Sequence, residues 1–385
     1  MTITYQLDQL YNGMYPSSQI PSPFKIAISA LLLVFLFKVK LSNLFTKKIF
    51  KIGFIFVFWA FVTSFWAFNF RAGLSYSFQM LILISFSATT LYYLRIIPDS
   101  LEKLLFYSIL VGGIISLLSI MGYFSSAETN NARMVFDGVG TNAIAISVGY
   151  IFVMGLAFLF WPNQSKFRKL TVAICMALMF IMLIRTGTRS VIWGIFLSFI
   201  LSYIISIRII SLKKIVLFGL TIITLYFGVQ SILSSENVSE RLSDRLLIIN
   251  ESAVTENSRI FLWTNGLKWY NDNPAGSGAG TYNEAQSYVQ TISLYREAHS
   301  VYVSTLIQMN IIGLLLLILF LIYIGKEVFK MPKGFFKLTL SILFIFFIMQ
   351  TLKGSFLQTR LFWHPITVML LIIEMHKSKN SKYTI

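Results

Sequence analysis

Strongly apolar runs recur along almost the whole chain, and they restrict its fold more than any other feature. A helix of about 20 apolar residues spans the roughly 30 Å hydrocarbon core of a bilayer. We predict eleven such helices, at residues 24–37, 50–70, 73–94, 104–124, 142–161, 170–184, 190–207, 215–233, 301–325, 336–352 and 355–375. Only 12% of the residues are charged and 56% are hydrophobic, which excludes a soluble domain. The sequence therefore predicts an all-α polytopic membrane protein.

The basic residues alternate between the two ends of these helices. Every second connection and the C-terminal tail are rich in lysine, and this set comprises Lys38, Lys40, Lys47, Lys48, Lys51, Arg95, Lys103, Lys166, Arg168, Lys169, Arg208, Lys213, Lys214, Lys326, Lys330, Lys333, Lys337, Lys377, Lys379 and Lys382. Under the positive-inside rule these segments are cytoplasmic, so we predict the N-terminus outside and the C-terminus inside. Membrane topology therefore explains the net charge of +17, and no nucleic acid partner is expected.

The opposite face carries mostly arginine. Its basic residues are Arg71, Arg133, Arg185, Arg189, Arg241, Arg245, Arg259, Arg296 and Arg360, with Lys268 and Lys353 as the minority and Lys25 at a membrane edge. Lysine would supply charge equally well, whereas the planar guanidinium binds phosphate or carboxylate through two parallel hydrogen bonds. We interpret this outer face as an anion-binding surface; ion pairs with the outer acidic residues are the alternative for several of these arginines.

The stretch "MLIRTGTRSVIWG", residues 182–194, places Arg185 and Arg189 four positions apart. No Asp or Glu occurs between residues 138 and 235 to pair with them. If both were helical they would share one face, where like charges at this spacing destabilise a helix by about 0.2–0.5 kcal/mol. A multiply charged anion, such as a lipid pyrophosphate at the outer membrane surface, would remove this conflict.

One connection is long, and residues 234–300 are predicted to form a large outer loop. Loops of this length are usually functional or disordered. The spacing of Ile260, Trp263, Leu267 and Tyr270 predicts a packed amphipathic helix, and a second short helix is predicted over residues 238–249. Arg259 at the start of the first helix opposes the helix dipole, and a phosphate bound at that end would offset the conflict.

The end of this loop contains two further candidate features. In "NPAGSGAGTY" the proline and glycines break secondary structure, either as a plain turn or as backbone that lies close to a ligand at Gly276 and Gly278. His299 closes the loop immediately before the next span. A histidine there is either an interfacial polar residue or part of the same site as Arg259.

Three stretches resemble the O-antigen ligase and O-antigen polymerase superfamily of bacterial polytopic membrane proteins. They are a Thr-x-x-Arg-type segment in "TGTRSVIWG", an Arg, Trp, Pro and Gly-x-Gly pattern in "SRIFLWTNGLKWYNDNPAGSGAGTY", and a His followed by an aliphatic span in "AHSVYVSTLIQMNIIGLLL". The resemblance covers about residues 182–325. Many members have Asn after the His, where this chain has Ser300, and this departure bears on the choice of acceptor. Members often have twelve spans, so eleven or twelve are expected.

The resemblance implies a GT-C-like glycosyltransferase that uses an undecaprenyl-pyrophosphate-linked donor at the periplasmic face of the bacterial inner membrane. Arg189 and Arg259 would hold the pyrophosphate with Arg185 as a helper, and His299 would orient or deprotonate the acceptor hydroxyl. Attack on C1 from the face opposite the pyrophosphate implies inversion. Arginines can neutralise a leaving pyrophosphate, so no metal and no cofactor are expected. Further candidate substrate contacts are Arg296, Gly276, Gly278 and Ser300.

Two functions of this superfamily stay open. A polymerase joins one lipid-linked repeat unit to another, whereas a ligase moves the glycan onto lipid A-core; the departure at Ser300 favours a polymerase. A glycolipid transporter would require ionisable residues at mid-bilayer and paired repeats, and the sequence shows neither. The expected segments are an N-terminal transmembrane bundle at 1–233, the periplasmic loop at 234–300, and C-terminal transmembrane helices with a basic tail at 301–385. The expected partners are the lipid-linked oligosaccharide, the bilayer, a chain-length regulator and other O-antigen assembly proteins.

Overall fold

The computed structural model describes residues 48–94, 97, 99–123, 126–127, 134–135, 141–161, 164–205, 259–289 and 298–381. The predicted spans at 24–37 and 215–233, and the predicted helix at 238–249, lie outside these residues. Within the described ranges the chain forms eleven helices and one antiparallel pair of two-residue strands, β1 (Ser126–Ala127) and β2 (Met134–Val135).

Nine of these helices correspond to predicted spans, and two belong to the outer loop. The nine are α1 (Lys48–Ser64), α2 (Phe70–Leu94), α3 (Ser100–Ile120), α4 (Thr141–Leu159), α5 (Lys166–Arg185), α6 (Arg189–Ile205), α9 (Val301–Lys330), α10 (Phe335–Thr351) and α11 (Arg360–Ser381). The loop helices are α7 (Arg259–Asp272) and α8 (Tyr282–Val289). Among the described residues, five helices are long and apolar enough to cross a membrane: α2, α3, α4, α5 and α9. The prediction of an all-helical polytopic membrane protein is confirmed, while the count of eleven or twelve spans stays a prediction.

Side-chain contacts at both ends show that helices α3 and α5 run in the same direction. Near their first residues, the Arg168 guanidinium donates to the Glu102 carboxylate and lies over the Phe106 ring. At their last residues, Nη1 of Arg185 donates to the Ile120 carbonyl over 3.1 Å. The connections that precede α3 and α5 therefore lie at the same end of the bundle, in agreement with the alternation of the basic connections.

The described membrane helices before and after the outer loop share one apolar core. Tyr150 of α4 meets the ring of Phe346 in α10 edge-on, with 5.0 Å between the ring centroids. Glycine permits close approach: a Cβ at Gly149 would lie 2.6 Å from the Val191 side chain of α6. Small residues at such contacts are how helices approach closely in membranes, where lipid gives no hydrophobic driving force. The described helices before and after the outer loop thus belong to one bundle, while the predicted segments 1–233, 234–300 and 301–385 stay predictions.

Helix α1 ends at Ser64, although its apolar pattern continues to residue 70. The turn that follows is joined to the outer loop, since the Phe68 amide donates to the Ser277 carbonyl over 3.2 Å. The resulting turn exposes Phe65 and Trp66 at the end of the bundle. Aromatic side chains of this kind are typical of the membrane–water interface.

Helix α9 is interrupted at Asn310, which has φ 56° and ψ −170°. Its 30 residues would measure about 45 Å, longer than the hydrocarbon core. Residues 311–330 alone, at about 30 Å, suffice to cross it. We interpret residues 301–310 as lying outside the hydrocarbon core. The membrane span of α9 then falls at residues 311–330 rather than at the predicted 301–325.

Candidate functional site

Helix α7 begins with Arg259, as the sequence predicts, but the predicted packed face is only partly correct: Trp263 and Tyr270 are partly buried, whereas the two aliphatic residues are not. Ile260 and Leu267 are exposed, at 66% and 43% of their surface. The buried face consists of Leu262, Asn265, Gly266 and Trp269. The physical reason is the close approach to α9: a Cβ at Gly266 would lie 2.4 Å from the Ile307 side chain. The small residue, rather than the larger aliphatic ones, decides which face packs.

Trp263 fastens α7 to the end of the outer loop. Its indole N–H donates to the Ala298 carbonyl over 2.6 Å. Residues four apart lie on the same face of a helix, so Arg259 and Trp263 point in the same general direction. Ala298 is fully buried and His299 follows it directly. The start of α7, with Arg259, is therefore held beside His299.

His299 is the left-handed residue between the outer loop and α9, with φ 49°. Such a conformation is uncommon for a residue other than glycine and persists only where the surroundings enforce it. Here the Ser300 amide donates to Oγ of Ser355 over 3.2 Å, and the Ser355 hydroxyl reaches the Ser300 carbonyl at 3.5 Å. Ser300 is buried whereas His299 is partly exposed. The neighbours are fixed while the imidazole stays accessible.

The turn after α10 brings another cation to the junction between the outer loop and α9, where His299 lies. Thr351 is the last residue of α10, and its Oγ1 atom lies 3.0 Å from the hydroxyl oxygen of Tyr302. Lys353 follows two residues later, close enough to Arg259 for the two positive charges to repel. Partial burial lowers the pKa of Lys353, and the charge of Arg259 lowers it further. Partial burial also lowers the pKa of Arg259, although both side chains keep exposed surface.

Arg189 is the first residue of α6, and its side chain is exposed. The position of Arg189 relative to the other candidate residues follows from its neighbour Ser190. Nε2 of Gln350 lies 3.5 Å from the Ser190 carbonyl oxygen. Gln350 is in the last turn of α10, just before Thr351 and Lys353. The start of α6 therefore lies against the same end of α10 that borders His299. The structure brings Arg189, Arg259 and His299 to one end of the bundle.

Arg185 has a different environment from Arg189. It ends α5, and the chain turns over residues 186–188, with Gly187 at φ 63°, before α6 begins. The two arginines are in separate helices, so the like-charge conflict expected of one continuous helix does not arise. Arg185 instead donates to the Ile120 carbonyl at the end of α3. A cation is favourable at helix C-termini, because the last carbonyls there lack helical partners.

The glycine-rich segment packs against the interruption in α9. Gly276, Gly278 and Gly280 all have positive φ, between 73° and 90°. The Ser277 amide donates to the Ile307 carbonyl and the Gly278 amide to the Gln308 carbonyl, both over 2.9 Å. These are carbonyls that a broken helix leaves without a helical partner. A structural role for this segment is therefore evident, whereas contact of Gly276 and Gly278 with a substrate stays a prediction.

Sequence reasoning missed how three residues support this site. Trp263 and Ser355 fix the positions of Ala298 and Ser300, and Lys353 adds charge beside Arg259. Lys353 carried one signal, since it is one of two lysines on an arginine-rich face. Arg296 lies outside the described residues, so its predicted substrate contact stays a prediction.

The comparison with protein families covers the segment that carries most of this geometry. Residues 174–318 match the family model described as O-Antigen ligase. The matched range contains Arg189, Arg259, Trp263 and His299, and it ends inside α9. It confirms the resemblance to the O-antigen ligase and polymerase superfamily, and it supports glycosyl transfer as the general activity. No curated protein matches the chain significantly.

Proposed function

We propose that this protein is a surface-polysaccharide polymerase of the bacterial inner membrane. It transfers glycan from an undecaprenyl-pyrophosphate-linked donor to a lipid-linked repeat unit at the periplasmic face. The observation that carries the proposal is the position of Arg189 and Arg259 at the same end of the bundle as His299, inside the segment that matches the O-Antigen ligase family. Arginine forks suit a diphosphate leaving group, and a partly exposed imidazole suits an acceptor hydroxyl.

The reaction forms one glycosidic bond and breaks one sugar–phosphate bond. The acceptor oxygen attacks C1 of the donor sugar while its proton passes to the His299 imidazole. The bond between C1 and the pyrophosphate oxygen breaks, and its electron pair leaves with the lipid pyrophosphate. Arg189 and Arg259 stabilise the charge that develops there, as positioned donors do best in a partly desolvated site. Because the leaving group and the nucleophile lie on opposite faces, the configuration at C1 inverts.

Metal independence is part of this proposal. Guanidinium groups can offset the charge of the leaving pyrophosphate, a role that a divalent ion otherwise fills. Purified protein should therefore keep its activity after exhaustive treatment with a chelator. Activity that disappears with the chelator and returns with Mg²⁺ or Mn²⁺ would contradict this part of the proposal.

A ligase is the second candidate, because the matching family model is described as O-Antigen ligase. Glycan ladders on gels from a strain that lacks this gene distinguish the two functions. Loss of long chains with a single repeat retained on the core supports a polymerase. Loss of every repeat from the core, with lipid-linked polymer accumulating, supports a ligase. An unchanged ladder, with no lipid-linked intermediate accumulating, would contradict both.

A further inference from the structure

Lys353 is held beside His299 from both sides of its own turn. On one side Thr351 contacts the Tyr302 hydroxyl at 3.0 Å, and on the other Ser355 hydrogen-bonds to both backbone groups of Ser300. The backbone of the turn is therefore fixed to the first residues of α9. Only the side chain of Lys353 can therefore move relative to α9.

Arg259 reaches the same place from a different part of the chain. It shares a helix face with Trp263, whose hydrogen bond to Ala298 fixes α7 against this junction. The charges of Arg259 and Lys353 repel each other, and this repulsion adds to the desolvation that lowers the lysine pKa. Within the described part of the chain, neither side chain forms an ion pair with a carboxylate. Arg259 and Lys353 thus border the same junction, each on a segment that hydrogen bonds hold against residues 298–302.

The positive charges of Arg259 and Lys353 repel each other, and a neutral residue at either position would relieve the repulsion. Unfavourable arrangements of this kind are typical of sites whose function requires them. An anion with two or more negative charges would neutralise both groups at once. Arg259 offers a planar fork and Lys353 a compact charge with three donors, a combination that suits adjacent phosphate groups.

We propose that Lys353 binds the pyrophosphate of the lipid-linked donor directly, together with Arg259. This inference rests on the proposed function for the identity of the lipid. The shared chemistry, a phosphate group at the membrane surface, also occurs in anionic phospholipids. The experiment must therefore separate a polyprenyl pyrophosphate from an ordinary phospholipid headgroup.

The test measures binding by the purified full-length protein in nanodiscs, from its melting temperature at increasing ligand concentration. The probes are undecaprenyl pyrophosphate, undecaprenyl monophosphate and phosphatidylglycerol. Lys353→Met should weaken binding of undecaprenyl pyrophosphate about tenfold to a hundredfold, the usual effect of one hydrogen bond to a charged group. The monophosphate should lose less, and phosphatidylglycerol should be unaffected. Lys353→Arg should restore most of the affinity for the pyrophosphate.

Two further variants keep the result interpretable. Lys353→Glu should pair with Arg259, so the empty protein should melt at a higher temperature than the parent while binding of the pyrophosphate is lost. Lys268→Met removes an exposed lysine from α7 and should change neither property. Unchanged affinity for undecaprenyl pyrophosphate in Lys353→Met and Lys353→Glu would overturn the inference. An effect confined to phosphatidylglycerol would overturn it as well.

Failure of this site and failure of the proposed function are separable. If the deletion strain shows the polymerase or ligase phenotype but Lys353→Met binds the donor normally, the inference about Lys353 fails alone. If Lys353 governs pyrophosphate binding but the glycan ladder of the deletion strain is normal, the binding site stands and the proposed function fails.

Discussion

The indole N–H of Trp263 lies 2.6 Å from the Ala298 carbonyl and so connects the helix that begins at Arg259 to the residue before His299. The hydrogen bond thereby joins the helix that carries Arg259 to the chain segment that carries His299. Because donor and acceptor must meet beside these two residues, we expect the hydrogen bond to matter more for the reaction than for folding.

Trp263→Phe keeps an aromatic ring but removes the donor. We expect the melting temperature to fall only slightly, since one hydrogen bond contributes about 0.5–1.5 kcal/mol. The transfer rate with lipid-linked donor should fall much further, because displaced reacting groups lose rate steeply. Trp193→Phe is the matched control, as Trp193 is 63% exposed on α6. Equal rates in the two variants would show that the connection is not needed.

Arg189→Lys and Arg259→Lys should each lose most activity while the protein still inserts into the membrane. Lysine keeps the charge but not the bidentate fork. Lys333→Arg, at the end predicted to be cytoplasmic, should be silent. Polymer length on gels and the amount of protein in membranes are the two measurements. Full activity in both arginine variants would mean that they serve only as charges or have no role.

His299→Ala should lower the rate of transfer about 10²- to 10⁴-fold, the usual range for a positioned acid–base group. Donor binding should be nearly unchanged, because the cations hold the pyrophosphate. His299→Gln keeps hydrogen bonding but cannot take up the proton. If His299→Ala abolishes transfer while His299→Gln keeps a nearly normal rate, the side chain only positions the acceptor. Normal transfer in the Ala variant would remove His299 from the mechanism.

Gly278→Ala should destabilise the protein strongly, since the added Cβ would lie 2.3 Å from the Ala67 backbone. Gly122→Ala is the control: Gly122 has φ +89°, similar to the +90° of Gly278, but nothing lies within 4 Å of its Cβ position. The control should therefore cost only the backbone strain, about 1–2 kcal/mol. Melting temperatures in detergent measure both. Similar losses in the two variants would mean that the contact with Ala67 is easily relieved.

Cysteine labelling in intact cells tests the membrane orientation. In a Cys175→Ser background, Lys268→Cys should react with an impermeant thiol reagent, whereas Lys166→Cys should react only after permeabilisation. Both lysines are exposed, so accessibility to solvent is matched. The expectation follows from the lysine-rich connections, which mark the cytoplasmic side. The reverse pattern would place Arg259 and His299 in the cytoplasm and contradict the proposed donor.

The sequence by itself determined the membrane helices and the residue types of the site. The length of each apolar run and the alternation of lysine along the chain are properties of the sequence, so they do not depend on how the helices pack. The same holds for helix α7, whose start at Arg259 follows from local spacing. The motifs around Arg189, Arg259 and His299 were also readable, because each lies within a short stretch of chain.

Only the tertiary structure decided which residues meet. The buried face of α7 depends on how closely Gly266 approaches Ile307, and the partner of Arg185 is a carbonyl on another helix. The common junction of the segments that carry Lys353 and Arg259, which are far apart in the chain, depends on contacts at Trp263 and Ser355. Pairings of this kind arise from packing between helices. No periodicity or motif in either segment alone contains them.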